Sequence, residues 1–305
     1  MSMTTAVRRS LSAQVALKLA AVVVALTVVV AILLTRRETK QMEDLTLEKA
    51  RIAAAIGARQ YGDVLDGLID GGVVTVSQVF DREYAPIKGF DFGERPKFHT
   101  AYDVLLDRAV VVFQDKFLDY EDFVFAVGVD VNGYLPTHNT RFQKPLSGDP
   151  SKDLAGNRTK RMFDDPVGIT AAKSLEPSLL QVYERDTGER MWDVSSPVHV
   201  KGKHWGGFRV GVSMERIDAR ERALLATLAG YFAVFGLVTI GTMFVVVGRA
   251  MRPVLDLSAR AEQISLGESL DTPIKSGAID EIGQLTKTLD RLRVSMKAAM
   301  SRLGH

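Results

Sequence analysis

Arg158, Lys160 and Arg161 crowd four consecutive positions, and Asp153, Asp164 and Asp165 flank them. A guanidinium presents a planar fork of donors that matches a carboxylate, so this cluster reads in two ways. Either at least one arginine grips a ligand carboxylate, or the cluster is a local ion-pair network that pins its own loop. His138-Asn139 and His204-Trp205 form a second pair of candidates. If their strands are neighbours, the rings meet in a pocket, where they either hydrogen-bond a polar ligand or ligate a haem or divalent metal. No Cys-x-x-Cys-His attachment site accompanies them, and the expectation is no cofactor and no metal. His99 and His199 read as structural histidines. Tyr183 and Trp192-Asp193 alternate on consecutive strand-like stretches and line one face, either as a ligand wall or as packed core. Asp193 is the carboxylate there that could meet a ligand ammonium.

These residues need a scaffold, and hydropathy supplies its plan. From Ala223 to Gly248 no side chain is charged, a run of 26 residues that exceeds a bilayer core of ~30 Å at ~1.5 Å per residue. Leu19 to Thr35 is also uncharged, and Val15 to Leu17 extend it if Lys18 snorkels. Leu33-Leu34-Thr35-Arg36-Arg37 offers no small-residue cleavage pattern, so the first run reads as an uncleaved anchor. The expected division is a terminus over 1–14, spans at 15–35 and 223–248, a large domain over 36–222, and a tail over 249–303.

The formal charge of +2 conceals a split: −3 over residues 36–222, +3 before the first span and +2 after the second. Basic flanks occur on both sides of the first span, so they do not orient it. Nothing in this balance points to nucleic acid. Cysteine is absent, which removes disulfides, thiolate zinc sites and thiol nucleophiles. No nucleophile elbow or His-Glu-x-x-His helix occurs either, and the chain is expected not to be an enzyme.

Within 36–222, residues 38–60 predict a helix leaving the membrane, with Leu45, Ile52 and Ile56 at helical spacing and Gly71-Gly72 as its stop. A second helix is expected over 101–118. Then Phe123–Val129 reads as a strand, Asp130-Val131-Asn132-Gly133 as a hairpin turn, and Tyr134-Leu135-Pro136 as its return. A crossing loop with short helices covers 143–173, and strands follow at 179–183, 191–200 and 205–212. Helices first and antiparallel strands later make an α+β domain. Beyond the second span, Arg252-Pro253 opens a helix with Val254, Leu257, Ala261 and Ile264 on one seam, and Gly267 ends it. A second seam runs through Ile282, Leu285, Leu289, Leu292, Met296, Ala299 and Leu303. Two such narrow helices require a second chain to complete a bundle, which predicts a homodimer.

The tail, with Arg252-Pro253 after a span, Gly267, the apolar connector and Asp280-Glu281-Ile282-Gly283, resembles a HAMP domain over roughly 249–300. HAMP domains are cytoplasmic signal relays, so the resemblance implies a periplasmic 36–222 in a bacterial inner membrane. That segment resembles the Cache/PAS-like sensor domains of methyl-accepting chemotaxis proteins over about residues 80–212. The resemblance is carried by 96–103, 130–139, 157–165 and 180–188, together with His204-Trp205-Gly206-Gly207-Phe208-Arg209. It implies a long helix feeding an antiparallel sheet with a small-molecule pocket, for which Arg158, Arg161, His138, Asn139, Tyr183, Asp193, His204 and Arg209 are the candidate lining residues. No chemoreceptor signalling hairpin, phosphoacceptor histidine or nucleotide-binding glycine segment follows the tail. Either a cytoplasmic partner carries the output or the chain is truncated. The functional expectation is a chemotaxis-type membrane receptor for a small, carboxylate-bearing ligand. The alternatives are a protein-binding assembly factor and a haem- or metal-based redox sensor.

Overall fold

The computed structural model describes residues 11–88, 92, 95–275 and 277–303. The chain divides into two compact units, one of residues 36–225 and one of residues 1–35 with 226–305.

In the first unit, helix α1 (Leu11–Asp70) ends where Gly71 and Gly72 begin, with Gly72 at φ +68°. Helix α2 (Val76–Val79) and the short strands β1 (Ala85–Pro86) and β2 (Phe98–His99) follow. The expected second helix is broken at Val110 into α3 (Asp103–Ala109) and α4 (Val111–Lys116). Strand β3 (Phe123–Asp130) then lies at one edge of an antiparallel sheet of order β3-β8-β7-β6, where β6 is Leu179–Glu184, β7 Arg190–Val200 and β8 Lys203–Ser213. The strands after residue 178 are legible from their period of two and the Gly188 and Gly202 turns.

One face of the sheet packs on α1. Ala50, Ala54, Ala58, Tyr61 and Leu65 meet Trp192, Val194, Trp205, Phe208 and Val210 in the main core. Small residues let the helix approach closely. A Cβ on Gly57 would lie 2.1 Å from the Phe208 ring, and one on Gly128 2.4 Å from Tyr61. The apolar residues that mark 38–60 as helical are on its other side: Leu45, Ile52 and Ile56 are about half exposed.

The turn at Asp130–Gly133 forms, with Gly133 N donating to Asp130 O at 2.8 Å and Gly133 at φ +82°. It does not make the expected hairpin. Strand β4 (Tyr134–Leu135) pairs instead with β5 (Arg161–Met162), more than twenty residues away. The neighbour that β3 lacks on its outer edge is partly replaced by a side chain, because Asn139 Oδ1 accepts from Ala126 N at 2.9 Å. Two short helices, α5 (Pro150–Gly156) and α6 (Pro166–Lys173), lie in the crossing segment. Asp149 and Asp165 cap them through their side chains. Helix α6 packs on β7 and β8 over the second face of the sheet.

Strand β8 ends at Ser213, and helix α7 (Met214–Ser265) begins at the next residue. No break opens a new helix at Arg252-Pro253; Pro253 sits inside α7, where the preceding turns already hold the chain and the ring removes a single donor.

In the second unit, α1 and α7 each hold a window apolar and long enough to cross a membrane, with mean hydropathy 2.8 and 2.1. Gly267, at φ +81°, follows the end of α7. Asp280 caps helix α8 (Glu281–Leu303), its Oδ1 accepting from Ile282 N at 3.0 Å and Gly283 N at 3.2 Å. Leu257, Ile264 and Ile274 form a small core with Leu270, Ile282, Leu289 and Met296. Every second seam position faces out: Leu285 and Leu292 are 49% and 58% exposed.

Candidate ligand cavity

A cavity of about 370 Å³ lies between the second face of the sheet and the crossing segment. Strand register decides which residues floor it. Tyr183 pairs with Met191, Ser195 with Arg209, and Arg209 with Val127, so these side chains share one face. Trp192 points the other way, into the core against α1, and so does not share a face with Tyr183 and Asp193.

Arg158 and Arg161 form one wall, and both are almost wholly buried. Lys160 between them adopts φ +60°, which sends its ammonium away to Asp103 at 3.1 Å and Asp107 at 2.8 Å. Both guanidiniums lie over the Phe163 ring, at 5.4 and 5.3 Å, and both donate to Leu154 O. They converge on one carboxylate, Asp186. Arg158 Nη1 lies 2.8 Å from Oδ1 and Nη2 3.1 Å from Oδ2, and Arg161 Nη2 donates to Oδ2 at 3.3 Å. The loop carboxylates are not their partners: Asp153 binds Ser147 and Gly148, and Asp165 caps α6. Arg161 Nε, buried, has no acceptor among the described residues. Burial, with Arg158 close by, pushes the Arg161 guanidinium down to about 10. Burial would raise Asp186, but the Arg158 hydrogen bond and the surrounding arginines hold it below the usual carboxylate range.

His138 is buried on the same cavity, with its ring 4.5 Å from Phe142 and 6.2 Å from Phe125. Nδ1 accepts from Asn139 N at 2.8 Å, which places the single proton on Nε2. Burial and then the charges of Arg158, Arg185, Arg141 and Arg161 push its pKa well below the ordinary value. The imidazole is thus a neutral donor near neutral pH. Tyr183 also lines the space, its phenol pushed up to about 12 by burial.

Arg209 reaches the cavity floor and pairs behind it with Asp193, which accepts from Nε at 2.7 Å and from Nη2. Asp193 does not line the cavity, because this ion pair covers it. Asn139 does not line it either; its amide serves the edge of β3. His204 lies elsewhere, paired in register with His199 at the β7–β8 turn and 5.8 Å from that ring. His138 and His204 therefore do not meet, which removes the geometry that axial ligation by both would need. His99 Nδ1 contacts Asp103 at 2.8 Å.

Sequence reasoning missed Arg185, Asp186 and Phe163. Arg185 lies 4.9 Å over Phe142 and 6.0 Å over Phe125, and pairs with Glu189 at 3.1 Å. Asp186 looks in the sequence like any turn residue before a glycine, and only the fold carries it to the arginines. A larger depression of about 780 Å³ lies beyond Arg185, but Arg141 and Lys152 on it are exposed.

Lys97 is buried beside the arginine loop without a carboxylate partner among the described residues, its ammonium donating to Asn157 Oδ1 at 2.6 Å and to Thr159 O. Burial, then the charges of Arg161, Lys160 and Arg158, push it down to about 7 from an ordinary 10.5. Between these values the unfolded chain binds the extra proton. Stability is therefore expected to rise with pH from about 7 to 10.5, by up to ~1.4 kcal/mol per unit, and the gain is lost as pH falls to 7. Denaturant melts of Lys97→Met should lack that slope; an unchanged slope would reject the assignment.

Residues 245–298 match the HAMP domain family. No curated protein matches the chain in sequence. Among solved structures, the Escherichia coli DcuS sensor domain is similar with TM-score 0.28 and 16% identity, over 37% of this chain and 72% of that one. The sensory domain of the Campylobacter jejuni chemoreceptor Tlp3 (CcmL) gives 0.25 and 11%, over 59% and 65%. The extracellular domain of vpHK1S-Z8, described as a histidine kinase, gives 0.27 and 14%, over 59% and 61%. The chain thus spans less than two thirds of the latter two, and scores this low bear on neither fold nor function. What the comparisons and the fold give together is a HAMP domain match at residues 245–298 and two helices, α1 and α7, long and apolar enough to cross a membrane.

Proposed function

We propose that residues 36–222 form a periplasmic domain that senses a small carboxylate-bearing ligand, and that the HAMP domain relays occupancy to a cytoplasmic signalling partner. The observation that carries this is the cavity wall of Arg158 and Arg161, two nearly inaccessible cations sharing one carboxylate, with Arg161 Nε unfilled. Buried charge is costly unless compensated, so a surplus cation facing a cavity favours an anion there. The neutral His138 and Tyr183 add uncharged donors. The role is that of a receptor of the chemotaxis type in a bacterial inner membrane, not an enzyme. Binding must favour one of two arrangements for anything to be relayed. The test is thermal unfolding of the full chain in detergent with a panel of millimolar mono-, di- and tricarboxylates. A ligand raises the melting temperature by mass action, and a panel without effect would overturn the proposal.

The topology has its own test. A reporter fused at residue 120 is expected to report periplasm and one at 305 cytoplasm; the reverse would sink the sensor reading. The receptor acts as a homodimer, which the exposed Leu285 and Leu292 support. The chain has no native cysteine, so a single cysteine at Leu289 should give clean disulfide-linked dimers in membranes. Monomer persisting under oxidation would count against a two-chain bundle.

A further inference from the structure

Asp186 does not belong to the loop that carries the arginines. It sits on the tight turn between β6 and β7, held by Arg185 N to Glu189 O and Gly188 N to Arg185 O, each at 2.8 Å. From there its carboxylate enters the cavity wall and takes both terminal nitrogens of Arg158 and one of Arg161. This fork-to-carboxylate geometry is the one that a ligand carboxylate would adopt on the same arginines. Its side chain is 21% exposed, whereas those of Arg158 and Arg161 are 4% and 3% exposed. The anion is therefore at the outer end of the pair and the cations at the inner end. The other two acidic residues on the cavity do not compete for this position: Asp165 is engaged in capping α6, and Glu184 makes no bond to either arginine among the described residues.

We propose that Asp186 is an internal occupant of the anion site, a tethered carboxylate that a ligand must displace from Arg158 and Arg161. Resting on the reading of the cavity as a carboxylate site, this assigns Asp186 a specificity role that the arginines alone do not have. A tethered competitor lowers apparent affinity for every anion. It thereby favours ligands that bring further contacts, such as a second acidic group for Arg161 Nε or an apolar body for Val127, Leu135 and Met162, over simple monoanions. It also couples occupancy to the β6–β7 turn, since the turn loses its anchor when the ligand arrives.

The test is anion rescue in the full chain in detergent. Asp186→Ala deletes the tethered carboxylate, and formate or acetate can then take its place. Melting temperature is read against formate and acetate, with chloride at equal ionic strength as reference. Asp186→Ala is expected to show an anion-specific rise with an apparent Kd at least about tenfold below that of the wild type, the scale of one displaced charge-assisted bond. Asp186→Asn, which removes the charge but keeps the place filled, should give a smaller rise than Asp186→Ala, and Arg158→Gln added to Asp186→Ala should abolish the rise. Variants that gain nothing from carboxylate over chloride, or that stay unfolded in saturating carboxylate, overturn the role of Asp186. A wild type that binds a panel carboxylate more tightly than Asp186→Ala does would overturn it too, while leaving the carboxylate reading intact. The converse failure, a wild type and variants deaf to every carboxylate, overturns both.

Discussion

Arg161→Ala is expected to abolish carboxylate-dependent thermal stabilisation while leaving the unliganded fold within about 1 kcal/mol of wild type. Asp186 keeps the two-pronged grip of Arg158, so no buried carboxylate is stranded. Removing one of two crowded cations also relieves Arg158 of the repulsion between them, which adds to burial in pushing the Arg161 guanidinium down. What is lost is the unfilled Nε and the second fork, worth ~1.5–3 kcal/mol per charge-assisted bond, or roughly 10- to 100-fold in affinity. Arg158→Ala should lose as much binding and more stability, because Asp186 then rests on Arg161 alone. Arg161→Lys should not rescue, since an ammonium lacks the planar fork. Melting curves with and without the best panel ligand check this. Full affinity in both alanine variants would move recognition to His138 and Arg209. Unfolding of both in the absence of ligand would make the cluster a structural pin.

The second large effect lies below the cavity floor. Asp193→Ala is expected to destabilise the 36–225 unit by ~3–5 kcal/mol, because it leaves the Arg209 guanidinium buried without a counter-charge. For a unit of this size that is a fall in melting temperature of about 10 °C. The double variant Asp193→Ala with Arg209→Met should recover most of the loss, since an apolar replacement of a buried pair is often neutral. A double variant as unstable as the single one would show that the two side chains do not act as a unit. Asp193 loses its ligand role here for a physical reason: its charge is spent on Arg209.

What the sequence revealed follows how local each cause is. The stop of α1 at Gly71, the strands after residue 178 and the end of α7 before Gly267 depend on neighbours within a few residues, and all are plain from the letters. The pairing of Tyr134-Leu135 with Arg161-Met162 depends on a contact across the crossing segment, and the turn chemistry at Asp130–Gly133 pointed to a hairpin instead. The candidate site divides in the same way. Arg158 and Arg161 stand out because they crowd one loop, and the structure brings them together with His138, Tyr183 and Arg209. Trp192 and Asp193 are adjacent letters on opposite faces of a strand, so the face each takes is set by register with β8. Nothing in Arg185-Asp186-Thr187-Gly188 distinguishes a solvated turn from one that plugs a cavity; that is decided by where β6 and β7 place it. The resemblance of the tail to HAMP was the most specific signal, because its motif and its place after a span agree.

One junction carries a mechanical consequence. Strand β8, which presents Arg209 to the cavity, passes into α7 between Ser213 and Met214 with no loop. A loop acts as a spring that absorbs small displacements; here there is no slack. The strand advances ~3.3 Å per residue and the helix ~1.5 Å, so one residue taken up across the joint would also turn the helix by ~100°. Such an exchange would break a whole ladder of hydrogen bonds. A shift of β8 well below one residue would therefore reach Met214 with no loop between to absorb it.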